Sequence, residues 1–252
     1  MSGHSKWSSI KHAKAVTDAR RGQLFTKLTR EVIAAARQGG GNPEMNFRLR
    51  MAIQRARDSN MPADNIDRAI KRGTGEGGAQ DQMSEVLYEG YGPGGIAIML
   101  QTLTDNRNRT VSDIRSTLTK AGGSMAEAGA VSWQFEQKAV LVVEAQSDQT
   151  DELTLTAIEA GADDFESIDS TLHLYSTPDR LEDIRETLAE HEANVLSSEI
   201  AMIPNNTVSL EERAALATLR LLDRLEELDD VQRVFSNADF PDRVLEQYRS
   251  EE

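Results

Sequence analysis

The stretch AVLVVEAQSDQTDELTLTAIEAGADDFESIDSTLHLYS, residues 139–176, decides the fold because it alternates short strand-forming runs with one amphipathic segment. β-Branched and aromatic residues favour strands, and apolar residues at a helical period favour a helix. The elements predicted here and just downstream are strand 139–144, helix 148–159, strands 164–168 and 172–176, helix 178–190 and strand 195–202. This β-α-β-β-α-β order is typical of a ferredoxin-like domain built on one small sheet.

The segments on either side of this series predict a second α/β domain that the ferredoxin-like domain interrupts. Upstream, the pattern predicts strands at 85–90, 95–104 and 131–135 and a helix at 110–120. Downstream, it predicts a helix at 210–228 and a strand at 231–235 that completes the sheet begun at Glu85. The tail from Pro241 onward is short and charged, and we expect it to be frayed.

The N-terminal third is predicted to be helical. Residues 23–38 place Leu24, Phe25, Leu28, Val32 and Ala36 on one apolar stripe, and further helices are predicted at 46–60 and 63–72. The glycine-rich segment 73–78 follows and is interpreted as a hinge. The predicted fold class is therefore α+β and multidomain: an N-terminal helical bundle domain followed by two α/β sandwich-type domains, one ferredoxin-like and inserted in the other. The expected boundaries are 1–78, 79–136 with 205–252, and 137–204.

Charge is segregated along the chain. Residues 1–72 carry 15 Lys+Arg against 6 Asp+Glu, a net charge of +9, whereas residues 73–252 carry 13 against 36, a net charge of −23. A cationic segment on an otherwise anionic protein is the electrostatic footprint of nucleic-acid binding, because Lys and Arg neutralise phosphates. An ordinary solvated basic surface is the alternative interpretation.

Composition favours a globular cytoplasmic protein. The chain is 38% hydrophobic and 28% charged, and no apolar run reaches the roughly 18 residues that span a bilayer. The N-terminus has no apolar region typical of a secretory signal, and we expect no leader. The absence of cysteine excludes disulfides and thiolate metal sites and fits a reducing compartment.

Enzymatic chemistry finds little support in the sequence. The four histidines, at positions 4, 12, 173 and 191, include no pair at the helical spacing of a metal site. Residues 73–78 spell G-x-G-x-x-G, but they follow a helix instead of a strand, so they do not predict a dinucleotide site. The sequence predicts no catalytic residue, no metal, no cofactor and no small-molecule substrate.

Candidate nucleic-acid contacts concentrate in the basic third. Cations are predicted to contact phosphates, and Trp7 is predicted to stack on an unpaired base or else to pack on the helices. The predicted set is Lys6, Trp7, Lys11, His12, Lys14, Arg20, Arg21, Lys27, Arg30, Arg37, Arg48 and Arg55.

Two loops form a predicted secondary contact surface. In residues 88–95 (YEGYGPGG), Gly92 and Gly94 allow close backbone approach, while Tyr88 and Tyr91 offer stacking faces. In residues 104–110 (TDNRNRT), Arg107 and Arg109 lie beside a helix N-terminus that can receive an anion. The first loop could equally be a tight turn, and the second could be a helix cap provided by Asn108 or Thr110.

Several long motifs resemble the YebC/PmpR family. The motifs that carry the resemblance are GHSKW at 3–7, IKH at 10–12, residues 18–22, FTKL at 25–28, YEGYGPGG at 88–95, DNRNRT at 105–110 and MIP at 202–204. The resemblance implies three domains and a role in gene expression, as a DNA-binding transcriptional regulator or as a ribosome-associated translation factor contacting rRNA or tRNA. An acidic scaffold that binds a basic protein partner stays open as an alternative of another class.

Overall fold

The computed structural model describes residues 18–76, 83–146, 149–168 and 170–250. Its helices are α1 Asp18–Gly39, α2 Phe47–Asp58, α3 Ala63–Gly73, α4 Arg107–Lys120, α5 Thr150–Glu159, α6 Leu181–Glu190, α7 Glu212–Glu226 and α8 Asp242–Ser250. Its strands are β1 Ser84–Tyr91, β2 Ala97–Thr104, β3 Ser124–Ala126, β4 Phe135–Glu144, β5 Asp164–Ile168, β6 Thr171–Ser176, β7 Val195–Pro204, β8 Val208–Ser209, β9 Val231–Ser236 and β10 Ala238–Asp239. The chain is thus an α+β protein with an N-terminal helical region, which confirms the predicted fold class.

The three N-terminal helices enclose one apolar core. Val32 and Ile33 of α1 pack with Leu49 of α2 and Ile66 of α3, and all four are buried. Asn46 links the helices: its Oδ1 accepts a hydrogen bond from the backbone N–H of Leu49, and its Nδ2 donates to two carbonyls at the end of α1. Because the Asn46 side chain caps α2 and also satisfies α1 carbonyls, it fixes the angle between the two helices.

Gly73 belongs to a packed helix, and its assignment to a hinge is wrong. It is the last residue of α3 and is buried, and a Cβ atom there would lie 2.7 Å from the Ile33 carbonyl oxygen. Glycine is therefore required so that α3 can approach α1. The rest of the predicted hinge is residues 74–78: Gly75 has a φ of +91°, and residues 77 and 78 lie outside the described residues.

The first four-stranded sheet has the order β3-β1-β2-β9 and is antiparallel throughout. The predicted return of the chain to this sheet is confirmed, because β9 pairs with β2 from Ile98 to Thr102. One face carries a large core formed with α4, α7 and α8. The expectation of a frayed C-terminus is wrong: α8 buries Val244, Leu245 and Tyr248 in this core. Three apolar residues on one helical face outweigh the charge of the tail.

The second sheet has the order β5-β6-β4-β7 and carries α5 and α6 on one face. This is the strand order of the predicted ferredoxin-like series. The predicted strand 131–135 is wrong, because residues 132–134 form a 3₁₀ turn and Phe135 begins β4. The turn forms because the Glu89 carboxylate accepts the backbone N–H groups of Val131 and Ser132, which a strand would use for pairing.

The two sheets meet through a small apolar cluster. Met99 and Phe235 of the first sheet contact Ala201 of β7, and Val131 and Phe135 complete the cluster. Among the described residues, no helix is long and apolar enough to cross a membrane. The exact domain boundaries at 78, 136 and 204 stay a prediction.

Candidate nucleic-acid interface

The predicted contacts of the basic third differ in where they lie. Five of them lie outside the described residues: Lys6, Trp7, Lys11, His12 and Lys14. Arg20 lies in the first turn of α1. Arg21 and Arg37 of α1 are exposed. The remaining four, Lys27, Arg30, Arg48 and Arg55, contact other parts of the chain.

Lys27 and Arg30 do not project into open solvent as the helical pattern predicts. The turn between α7 and β9, residues 226–230, covers this face of α1. The Lys27 ammonium donates to the Glu226 carbonyl oxygen, and Arg30 Nη1 donates to the Asp229 carbonyl oxygen at 2.9 Å. Gln23, one helical turn earlier, also donates to this turn. Three α1 side chains at spacings of four and three residues therefore form one docked face.

A cluster of ion pairs holds the helical region against both sheets. Glu31 of α1 lies 2.8 Å from the Arg55 guanidinium of α2 and 3.2 Å from that of Arg233 on β9. Glu199 of β7 lies 3.6 Å from Arg233 and 3.9 Å from Arg55. Burial alone would raise the pKa of Glu31, but Arg55 and Arg233 outweigh it and hold that pKa below its ordinary value. We call these four residues the junction cluster.

Arg48 is also used within the chain. Its guanidinium contacts the Gln38 side chain and the Glu85 carboxylate at the start of β1. Arg48 and Arg55 thus stabilise the docking of α2, and their role in phosphate binding stays a prediction.

The cations that remain exposed form a different set from the predicted one. We define the cationic surface as the exposed basic residues of the described helical region other than Arg48, which pairs with Glu85; they are Arg21, Arg37, Arg57, Arg68, Lys71 and Arg72. Within the part of the chain that the structure describes, Arg37 and Arg57 have no ion pair. Arg57, Arg68, Lys71 and Arg72 were not predicted, although each lies near a helix end where cations suit the helix dipole or on the face opposite the apolar stripe.

The tyrosine and glycine loop has a largely structural explanation. Tyr88 is half-buried and packs against the core of the first sheet, whereas Tyr91 is exposed. Gly92 is buried. Gly94 has φ of +74°, and a Cβ atom there would lie 2.5 Å from Leu210 Cδ2, so only glycine lets the loop pack against the start of α7.

The two arginines of the second predicted loop differ in their contacts. Arg107 is exposed at the first position of α4. The Arg109 Nη2 atom lies 2.7 and 2.9 Å from the two carboxylate oxygens of Asp230, which is only 7% exposed. The helix cap is Asn106, whose Oδ1 accepts from the Arg109 backbone N–H, and not Asn108 or Thr110.

Asp230 is the centre of a polar cluster that joins the helical region to the first sheet. The hydroxyls of Thr104 and Thr110 lie 3.1 and 2.9 Å from its Oδ2 atom, and Arg30 Nη1 lies 3.4 Å from Oδ1. Burial raises the pKa of Asp230, but the hydrogen bonds from Arg109, Thr110 and Thr104 outweigh burial and leave that pKa below its ordinary value.

This pKa shift predicts acid sensitivity. The carboxylate contributes stability fully above the ordinary pKa of an unfolded aspartate, about 4, and loses it as pH falls toward the lower folded pKa. We expect Asp230→Asn to lower the urea midpoint at pH 7 and to reduce the further decrease between pH 5 and pH 3. Asp229→Asn, on the exposed neighbour, is the matched control. If the urea midpoints of both variants and of the parent protein changed with pH in parallel, the acid sensitivity would not come from Asp230.

The structure shows nothing in the described residues that resembles a metal centre. Among those residues, no group of three or more His, Asp or Glu side chains is placed to hold a metal ion. A cavity of about 250 Å³ opens beside Arg109 and Asp230 and is lined mainly by acidic side chains. Its lining comes from α4 and from the docking turn already described.

Comparisons with known proteins address the whole chain. The family model described as the TACO1/YebC protein N-terminal domain matches residues 5–76, and the model of the TACO1/YebC second and third domain matches residues 83–238. The chain belongs to the TACO1/YebC family. The resemblance to the YebC group noted in the sequence is therefore confirmed. The first family model ends at residue 76 and the second begins at residue 83, close to the point where the net charge of the chain changes sign.

Relatives in this family are close over their full length. A probable transcriptional regulatory protein of Dehalococcoides mccartyi (strain CBDB1) is 55% identical over 251 residues, with 100% of both chains covered. One from Natranaerobius thermophilus is 48% identical, with 98% of this chain and 99% of the relative covered. The crystal structure of the conserved hypothetical protein Aq1575 from Aquifex aeolicus superimposes with a TM-score of 0.81 at 45% identity, covering 89% of this chain and 92% of that one.

Proposed function

We propose that this TACO1/YebC protein is a non-enzymatic, cytoplasmic regulator of gene expression that binds nucleic acid through its helical region. The observation that supports this most is the charge segregation, a net charge of +9 on residues 1–72 against −23 on the remainder. The exposed members of the cationic surface give that charge a location on the folded protein. The names of the relatives, probable transcriptional regulatory proteins, agree with a regulatory role.

The distribution of charge also suggests how nonspecific contacts are limited. The two sheet-containing parts are anionic and repel phosphate, so only the helical region attracts a nucleic-acid backbone. Lys27, Arg30, Arg48 and Arg55 are engaged within the chain, so we assign the accessible phosphate contacts to the cationic surface together with the predicted residues 6–21.

Promoter DNA and ribosomal or transfer RNA are the two candidate targets. Promoter DNA fits the printed names of the relatives, and duplex binding needs only phosphate contacts. RNA with unpaired bases is favoured by the exposed aromatic side chains of Tyr91 and Trp133, because proteins bind unpaired bases by stacking. We therefore keep ribosome-associated translation control as the second candidate.

Salt dependence tests the proposal on the full chain. If six cations each neutralise one phosphate, affinity should fall roughly 1,000-fold between 50 and 200 mM salt, because binding releases condensed counterions. The measurement is a filter or mobility-shift titration with duplex DNA and with single-stranded RNA, and co-sedimentation with ribosomes before and after a high-salt wash. Binding to neither nucleic acid, with retention of a basic protein partner, would contradict the proposal and support the acidic-scaffold alternative.

A further inference from the structure

Trp133 is an unusual surface residue. Its side chain is 72% exposed, and Tyr91, the last residue of β1, is 38% exposed. Tryptophan is highly buried on average, and large exposed aromatic side chains are enriched at binding sites. Tyr91 belongs to the predicted contact surface and Trp133 does not, because residues 131–135 were predicted to form a strand.

Trp133 and Tyr91 are held next to each other by one carbonyl group. The indole Nε1–H of Trp133 donates to the Ala130 oxygen at 3.0 Å, and the Tyr91 hydroxyl lies 3.4 Å from the same oxygen. The polar atom of each ring is thus satisfied inside the protein. The exposed remainder of both side chains is aromatic carbon, which water solvates poorly. We call Tyr91 and Trp133 the aromatic platform.

The loop beneath the platform is fixed by a buried carboxylate. Glu89, 4% exposed, accepts backbone hydrogen bonds from Gly129 at 2.7 Å, Val131 at 2.6 Å and Ser132 at 3.1 Å. Burial raises the pKa of Glu89, but these three bonds outweigh burial and leave that pKa below its ordinary value. The carboxylate therefore stays ionised and the loop stays ordered, so a ligand would meet rings that are already in place.

We propose that the aromatic platform is a stacking site for an unpaired nucleobase of single-stranded nucleic acid. This inference rests on the proposed function and narrows it. A duplex keeps its base faces covered, so the platform should discriminate single strands from duplex, whereas the cationic surface should not. An apolar peptide is the competing occupant that the experiment must separate.

The experiment uses Trp133 as its own reporter in the full chain. The sequence has two tryptophans, Trp7 and Trp133, so Trp7→Phe leaves Trp133 alone while keeping an aromatic ring at position 7. The probes are a 12-nucleotide oligoadenylate RNA with a 3′ fluorophore, the corresponding duplex, and a tryptophan-free apolar peptide. We expect saturable quenching of Trp133 by the single strand and little change with the duplex.

Variants separate stacking from general charge. Trp133→Leu and Tyr91→Leu should each weaken binding of the labelled single strand about tenfold, the loss expected for one stacked ring, and should leave duplex binding unchanged. Phe165→Leu removes another exposed aromatic side chain, on β5, and is the matched control that should have no effect.

The outcomes distinguish this inference from the function on which it rests. If the labelled strand binds while Trp133 fluorescence and both leucine variants show no effect, the platform is not a base site and the proposed function is unaffected. If the peptide quenches Trp133 and the strand does not, the inference is overturned in favour of a protein ligand. If no nucleic acid binds at all, both the inference and the proposed function are wrong.

Discussion

Glu31→Ala is expected to lower the free energy of unfolding by about 2–4 kcal/mol. In the folded protein the Glu31 carboxylate lies between Arg55 and Arg233, whose side chains are 23% and 17% exposed, and removing it leaves the two guanidinium groups with Glu199 as the one remaining carboxylate of the junction cluster. Breaking one member of a fully buried pair costs about 3–5 kcal/mol, and partial exposure reduces this value. Urea denaturation at pH 7 measures the change.

Two further variants identify the cause. Glu44→Ala removes an exposed carboxylate from the same helical region and should leave the urea midpoint unchanged. The double variant Glu31→Ala with Arg55→Ala removes one charge of each sign, so it should be less destabilising than the two single changes added together. Strict additivity would show that repulsion between the arginines is not the cause.

Loss of the junction cluster should also release the helical region from the sheets. The cluster joins α1 and α2 to β7 and β9, and Gln23, Lys27 and Arg30 dock on the turn after α7. Small-angle scattering should therefore show a larger radius of gyration for Glu31→Ala than for Glu44→Ala. A release of this kind would expose Lys27 and Arg30, so nucleic-acid affinity should rise even as stability falls.

This docking changes the interpretation of the glycine-rich segment. Free reorientation about residues 73–78 was the expectation, but Gly73 is packed and the helical region makes direct contacts with both sheets. Proline at position 75 would also be incompatible with a φ of +91°. Reorientation of the helical region against the sheets therefore requires breaking the junction cluster.

Periodic patterns predicted the elements of this protein well because they reflect local geometry. The apolar stripe of α1, the strand alternation of β4 to β6 and the return of β9 to the first sheet each follow from spacing in the sequence. The same reasoning failed at residues 131–135, where Trp133 is exposed and Glu89, more than forty residues earlier, takes the backbone N–H groups. A long-range acceptor leaves no local signal.

The candidate site was less predictable than the fold for the same reason. A helical wheel shows that Lys27, Arg30 and Arg37 avoid the apolar stripe, but it cannot show which of them meets another part of the chain. Arg30 meets the turn at Asp229 and Asp230, whereas Arg37, seven residues later, stays exposed. Trp133 was missed because an aromatic residue at an alternating position predicts burial, and its exposure depends on the turn that Glu89 stabilises.

The sharpest test of the cationic surface is the double variant Arg37→Glu with Arg57→Glu. Both residues are exposed in the last turns of their helices, and we expect affinity for duplex DNA and single-stranded RNA to fall roughly 10- to 100-fold at 50 mM salt. The slope of log affinity against log salt should decrease in magnitude by about 2, because two phosphate contacts are lost. Unfolding should change by less than about 1 kcal/mol, the range of surface and helix-dipole effects.

The control must carry the same change in net charge. Arg115→Glu with Arg224→Glu, on α4 and α7, reverses two exposed cations of the anionic part and should leave affinity nearly unchanged. Equal weakening by both double variants would mean that overall charge, and not this surface, sets binding.

Arg30→Glu is expected to behave differently from both, because it places a carboxylate against the carbonyl of Asp229 and the carboxylate of Asp230 and so should destabilise the docked helical region. We expect Arg37→Glu with Arg57→Glu to weaken binding without loss of stability, and Arg30→Glu to lose stability through undocking. The two results together would separate the residues that contact nucleic acid from those that hold the fold.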